Sequence, residues 1–178
     1  MDPITNFLEK INQQDLWKNR LELNRKEYLK VKGSIDTNLY FIVSGSLRIY
    51  VLEEFEENII RFGYKNNFIA SLDSFISEKP SDLYIQAIKK TELKVIKKET
   101  FMNFVESSKE NSKVWNQILE NLIYQQLERE RDILTSSPIE RYKRVLARSP
   151  QLFQEIPNKY IASYLRMTPE TLSRIKKS

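Results

Sequence analysis

From Ser112 to Leu134 the chain carries neither glycine nor proline, and Val114, Trp115, Ile118, Leu119, Leu122, Ile123, Leu127, Ile133 and Leu134 recur at three- and four-residue steps. That spacing predicts one helix of some 25 residues, about 37 Å long at 1.5 Å per residue. A helix of that length outruns a domain this small, and its apolar stripe is broad. Part of it can cover a core; the rest calls for a partner, most simply the same helix of a second chain. Val114, Ile118, Leu122 and Ile133 are the candidate interface residues. The plain alternative is a helix packed wholly on its own domain.

The pattern before this helix is different. Residues 4–13 place Ile4, Phe7, Leu8 and Ile11 at helical spacing, predicting a short amphipathic helix. From about 27 to 98, short runs rich in Ile, Val, Tyr and Phe recur: Tyr28–Val31, Leu39–Val43, Leu47–Val51, Ile59–Phe62, Tyr84–Ile88 and Leu93–Ile96. Turn signals punctuate them at Lys32-Gly33-Ser34, Ser44-Gly45-Ser46, Glu53–Glu57 and Lys65-Asn66-Asn67. Short strands with no long helix between them predict an antiparallel sandwich or barrel. Glu99–Ser107 then reads as a short helix, with Thr100 as a candidate cap.

Ser136-Ser137-Pro138 ends the long helix and starts another, Ile139–Arg148, with Ser137 as N-cap and Pro138 in the first turn. This divides the chain into 1–108, a linking helix 109–137 and a C-terminal unit 138–178. In the last unit a helix opens at Pro157, small Ala162 sits where a crossing helix can approach, and Leu165-Arg166-Met167 forms a tight turn. Thr168 is a good N-cap, Pro169 a good first helical residue, and Glu170 suits the positive end of the dipole. Leu172 and Ile175 face inward; Pro169, Glu170, Ser173, Arg174 and Lys177 face out. This is the pattern of a helix-turn-helix. Its chemistry toward duplex DNA is direct. Arg174 can donate twice to a guanine, Glu170 can accept from a cytosine amine, and Lys176 and Lys177 can meet phosphates. Thr168, Pro169 and Ser173 complete the candidate DNA-binding set.

Charge agrees with that reading. Residues 138–178 hold nine basic and three acidic side chains, whereas the rest of the chain is nearly neutral. A basic C-terminal unit on a neutral body is the footprint of a polyanion partner; the bland alternative is a basic end that aids solubility. The chain also has no Cys and no His. Disulfides, thiolate or imidazole metal sites, iron–sulfur clusters, His-ligated haem and Ser–His–Asp chemistry are thereby excluded, so neither cofactor nor metal is expected. No leader or membrane-spanning run is evident in the sequence, and a cytoplasmic protein is expected by default.

At this point the sequence resembles the Crp/Fnr family of bacterial transcription regulators. Lys32-Gly33-Ser34 and Leu39-Tyr40-Phe41-Ile42-Val43-Ser44-Gly45-Ser46-Leu47 follow the family's glycine turn and Leu-Tyr-x-Ile-x-x-Gly pattern. Ile156, Ile161-Ala162, Leu165 and Thr168-Pro169-Glu170-Thr171-Leu172-Ser173-Arg174-Ile175 follow its helix-turn-helix pattern, with Glu170 and Arg174 at the base-reading positions. The resemblance implies an α+β fold: an N-terminal antiparallel β-roll of the cyclic-nucleotide-binding type (a double-stranded β-helix), a long dimerisation helix and a C-terminal helix-turn-helix. It implies a homodimer on a roughly palindromic duplex operator, with RNA polymerase as a further candidate partner, no membrane partner and an effector left unspecified. Three departures stand out: Arg166 replaces the usual turn glycine, Pro169 replaces an arginine that often begins the recognition helix, and the sequence stops at Ser178, leaving a helix-turn-helix without a full wing.

The resemblance also bears on ligand binding. Relatives that bind cyclic nucleotides carry a Glu for the ribose and an Arg for the phosphate. The aligned stretch here places Ser71 at the Glu position, Ser81 at the Arg position and Asp82 beside it. Losing a buried charge partner costs about 3–5 kcal/mol, so a degenerate pocket that does not bind cyclic AMP is expected. The aromatic set Tyr40, Phe41, Phe62, Tyr64, Phe68, Phe75 and Tyr84 either lines an apolar pocket or forms the roll's core. A ligand-binding or protein-interaction module with a decayed helix-turn-helix is the alternative to a DNA-binding regulator. A metal-dependent β-barrel enzyme is disfavoured, because only Asp73, Glu78 and Asp82 are offered as ligands; the chain is not expected to be an enzyme.

Overall fold

The computed structural model describes residues 3–177, with side chains from Thr5 onward. Helix α1 (Pro3–Gln13) buries Phe7 and Ile11, while Leu8 is half-buried and the side chain of Ile4 lies outside the described residues. The strands are β1 (Asn19–Leu23), β2 (Tyr28–Lys30), β3 (Leu39–Ser44), β4 (Ser46–Glu53), β5 (Glu56–Tyr64), β6 (Phe68–Ile69), β7 (Tyr84–Ala87) and β8 (Thr91–Ile96), with α2 (Leu72–Ser77) between β6 and β7. They make two antiparallel four-stranded sheets in the orders β1-β8-β3-β6 and β2-β7-β4-β5. Leu23, Ile42, Leu47, Ile49, Ile85, Leu93 and Val95 interdigitate between the sheets. Each such aliphatic side chain contributes roughly 1.5–3 kcal/mol on burial.

Gly45 joins the sheets. It sits at φ +90°, and a Cβ there would stand 2.3 Å from the Lys90 carbonyl oxygen, so no other residue fits the β3–β4 corner. The aromatic set divides. Tyr40, Phe41, Phe62 and Phe75 are buried core residues, and Tyr84 stacks on Tyr50 at 5.1 Å on the outer face of the second sheet. Strands β1 and β6 were not evident in the sequence: β1, Asn-Arg-Leu-Glu-Leu, is a charged edge strand on β8, and β6 has only two residues.

Helix α3 (Lys98–Glu106) begins after Lys97, so Thr100 is not its cap. Helix α4 (Lys109–Leu134) is longer than its apolar pattern, because Ser108 caps it by accepting from the Asn111 amide. At 26 residues it spans about 39 Å. The face it buries differs from the expectation. Val114 is 8% exposed inside the cluster of α1, α2 and α3, and Ile118 packs against the same cluster. Leu122 faces the roll as well, lining the clefts between β5 and α4. The stripe left to solvent instead runs through Ile123, Leu127 and Leu134, with Ile133 at its edge. A broad stripe serves two surfaces, and the choice between them depends on where the roll sits.

Beyond Pro138 come α5 (Pro138–Arg148), α6 (Leu152–Glu155), α7 (Asn158–Tyr164) and α8 (Pro169–Ile175). Ser137 caps α5 as expected. Strand alternation points Leu47 and Ile49 between the sheets, and Arg48 and Tyr50 outward. On that outer face Tyr50, Ile59, Phe62 and Ile88 form one cluster with Val145, Leu152, Ile161, Ala162, Leu165 and Leu172. The C-terminal helices therefore share a core with the roll. Among the described residues no helix is long and apolar enough to cross a membrane.

Candidate functional site

The helix-turn-helix is built locally by capping and then fixed from outside. Thr168 caps α8 by accepting from the Thr171 amide at 3.2 Å, and Pro169 occupies the first turn. Glu170 folds back on its own amide and, next, the Thr168 hydroxyl, which together hold its carboxyl below the ordinary range and leave it an anion at neutral pH. Ala162 of the first helix, Leu165 at its C-cap and Leu172 of the second helix are fully buried at the crossing.

Arg166 takes the left-handed conformation at φ 53°. Its amide donates to the Ser163 carbonyl and the Met167 amide to the Ala162 carbonyl, the paired bonds that close a helix end in a Schellman motif. A left-handed arginine costs on the order of 1 kcal/mol. Arg141, itself 8% exposed, offsets this by donating to the carbonyls of Leu165 at 2.8 Å and Arg166 at 3.1 Å. The same guanidinium donates to Thr135 and Ser136, tying the turn to the end of α4. Arg166 also reaches the roll, donating to Asn58 Oδ1 at 2.5 Å. Sequence reasoning counted Arg141 as generic charge; a basic residue in the buried stripe of an amphipathic helix was the available signal.

This fastening changes the charge argument. Arg144 and Arg148 pair with Asp132, at 3.0 and 2.5 Å, and with Glu128 of α4. Lys143 faces Glu140, Lys176 donates to Asn158 Oδ1 at 3.1 Å, and Lys159 lies over the Tyr160 ring. Among the described residues, the basic side chains of the C-terminal unit left without a hydrogen-bond, ion-pair or ring partner are Arg174 and Lys177. They share one exposed depression with Pro169, Glu170 and Ser173. Thr168 is exposed beside it, committed to its cap, and Lys176 turns toward α7 instead.

The roll's ligand corner has the opposite character. Ser71 and Ser81 are buried and hydrogen-bonded to each other at 3.2 Å. Ser71 also donates to Asp73 Oδ1 at 2.9 Å, and that carboxylate accepts from the Ser74 amide at 2.8 Å. Burial raises the Asp73 carboxyl, but the Ser81 and Ser71 hydroxyls, the Ser74 amide and the Lys30 charge outweigh it and hold it below the ordinary range. The local cation is Lys30, buried and engaged by the carbonyls of Val31, Ser81 and Leu83. Asp82 was expected beside the phosphate position; it is instead exposed and pairs with Lys32 at 3.4 Å, since the loop turns its side chain outward. The carboxylate opposing an anion is Asp73. These residues do not fit a cyclic nucleotide: the donors are taken, and no arginine stands among them.

A third feature was invisible in the sequence. Two connected clefts of about 530 and 290 Å³ lie between β5 and α4. Arg129, 5% exposed, borders the larger one with Nε and Nη1 lacking any acceptor, its Cζ 3.7 Å from the Tyr164 ring centre. Burial pulls the pKa of Arg129, and likewise that of Arg61, below the ordinary arginine range. A buried donor left unsatisfied costs about 1–3 kcal/mol.

Comparison with known proteins matches this architecture. Residues 20–108 match the cyclic nucleotide-binding domain, half of the chain. Comparison with curated proteins finds no matching relative. Among solved structures, a CooA variant from Carboxydothermus hydrogenoformans is 16% identical with a TM-score of 0.74, over 96% of this chain and 82% of that one. FixK2 from Bradyrhizobium japonicum is 17% identical at 0.72, over 89% and 82%. The catabolite activator protein of Thermus thermophilus is 18% identical at 0.61, over 99% and 85%. The chain belongs to the cyclic nucleotide-binding domain family. Its whole-chain fold is that of the Crp/Fnr regulators, as its motifs suggested.

Proposed function

We propose that the protein is a homodimeric, sequence-specific DNA-binding transcription regulator that does not respond to cyclic AMP. The observation that carries this reading is selective freedom of charge. The other basic side chains of the C-terminal unit are engaged within the chain, whereas Arg174 and Lys177 stand unpaired beside Glu170 and Ser173 on one exposed helix face. That face has the donors and acceptors to read base edges in a major groove. The solvent-facing stripe Ile123, Leu127 and Leu134 of α4 supplies the surface on which a second copy pairs, which sets two recognition helices about 34 Å apart. The operator is then roughly palindromic, and RNA polymerase is the natural further partner of such a complex.

The test is a gel shift with the full chain on a mixed pool of duplexes at rising salt. Retardation that weakens steeply with salt is expected, because each phosphate contact releases counterions. Absence of any retardation in dilute buffer would sink the reading.

A further inference from the structure

The cleft between β5 and α4 carries a chemistry the helix-turn-helix does not use. Arg61 lies opposite Ile49 in the β4–β5 pairing, so strand alternation aims it toward the side that buries Leu47 and Ile49. The bulge at Ile60 opens the pairing there. An arginine aimed inward ordinarily brings a carboxylate with it. Among the described residues neither Arg61 nor Arg129, across the cleft on α4, has one at ion-pair distance. Asp132, three residues from Arg129, is held by Arg144 and Arg148. What remains to Arg129 is a long bond to the Ile59 carbonyl at 3.4 Å and the ring of Tyr164. Arg61, Arg129 and Arg148 thus line one space where β5, α4, α5 and α7 meet, Arg148 being the one of the three already paired, with Asp132 and Glu128.

That space opens into the smaller cleft through Arg61, Phe68, Ile118 and Leu122, which border both. Past Arg61 the walls turn apolar with Leu39, Ile49, Leu83 and Trp115, and Asp73 is the carboxylate at their rim. A cationic mouth on an apolar arm is complementary to an amphipathic anion. The planar two-oxygen head of a carboxylate is the natural acceptor for a guanidinium, and Arg129 holds its Nε and Nη1 without acceptors. A sugar or polyphosphate would leave polar groups unpaired in the arm.

We propose that this cleft binds an organic monocarboxylate with an apolar body, its head accepting from Arg129 and Arg61 and its body lying against Phe68, Ile118 and Trp115. A molecule so placed touches the roll, α4 and the C-terminal helices together. The inference stands apart from DNA reading, and its test contains no DNA.

The full chain is titrated with sodium decanoate, below its micellar concentration, by calorimetry and by tryptophan fluorescence. Saturable micromolar binding is expected, with a fluorescence change from Trp115. Decanol and inorganic phosphate should bind at least about tenfold more weakly, and Arg129→Gln and Arg61→Gln should each weaken decanoate by about tenfold or more. Ile118→Trp, which keeps both arginines and fills the arm, should abolish binding. Circular dichroism checks each variant; where Arg129→Gln unfolds, Arg61→Gln and Ile118→Trp decide. The assignment is overturned by absence of saturable decanoate binding, by decanol binding as tightly, by folded arginine variants that titrate like the wild type, or by phosphate or cyclic AMP binding where decanoate does not.

Discussion

The ligand corner of the roll and the outer face of α8 are both built from family-like segments, yet their polar groups have opposite fates. At the corner, Ser71, Ser81, Asp73 and Lys30 satisfy one another and nearby carbonyls. On α8, Arg174 and Lys177 have no side-chain partner among the described residues. A motif position alone does not say whether a side chain is available. Availability depends on whether the fold supplies an internal partner, because a hydrogen bond made within the chain must be broken before a ligand can use the group.

The sharpest way to break this contrast is to remove the partner that fixes the turn. Arg141→Ala strands four carbonyls at the base of the helix-turn-helix, and should cost about 3 kcal/mol in chemical denaturation and take DNA retardation with it. Next come the two faces of α4. Val114→Ala should cost about 2 kcal/mol of stability without altering association. Leu127→Glu on the free stripe should leave folding within about 0.5 kcal/mol but yield monomers in sedimentation. On α8, Arg174→Ala should cost about 1–3 kcal/mol of operator binding and relax preference at one base pair per half-site, with no change in melting.

The smallest effect belongs to Asp73, at the corner. Its folded pKa lies below that of the unfolded chain, near 3.9, so it contributes stability that is fully present above that pH and lost as pH falls through the folded value. A stability profile should therefore dip more steeply below about pH 4 in the wild type than in Asp73→Asn. Equal slopes would show that the serine bonds to Asp73 have no thermodynamic weight.

How much of this was legible beforehand follows the same division. The central strands, Ser137, Pro138, Thr168 and Pro169 were readable because period-two runs and capping residues act locally. The charged edge strand β1, too polar for that signal, was not. Val114, Ile118 and Leu122, the interface candidates on α4, face the roll instead, because a stripe with apolar residues on two sides does not declare which side meets it. Arg141, Arg144 and Arg148 enter the sequence only as part of the net basic charge of residues 138–178, because their partners lie in other segments and only the folded chain brings them together. Arg61 was passed over inside an otherwise apolar run, and its meaning depends on register with Ile49. The cleft it borders has no sequence signature.

The central claim is that the exposed face of α8 reads duplex DNA twice from a paired molecule, and selection of bound sites from a random-sequence duplex pool by the full chain tests it most directly. Enriched sites should be two-fold symmetric with half-site centres about 10 bp apart, and Arg174→Ala should lose one conserved base pair from each half. Recovery of no motif, or of a single asymmetric site indifferent to Arg174, would contradict the account.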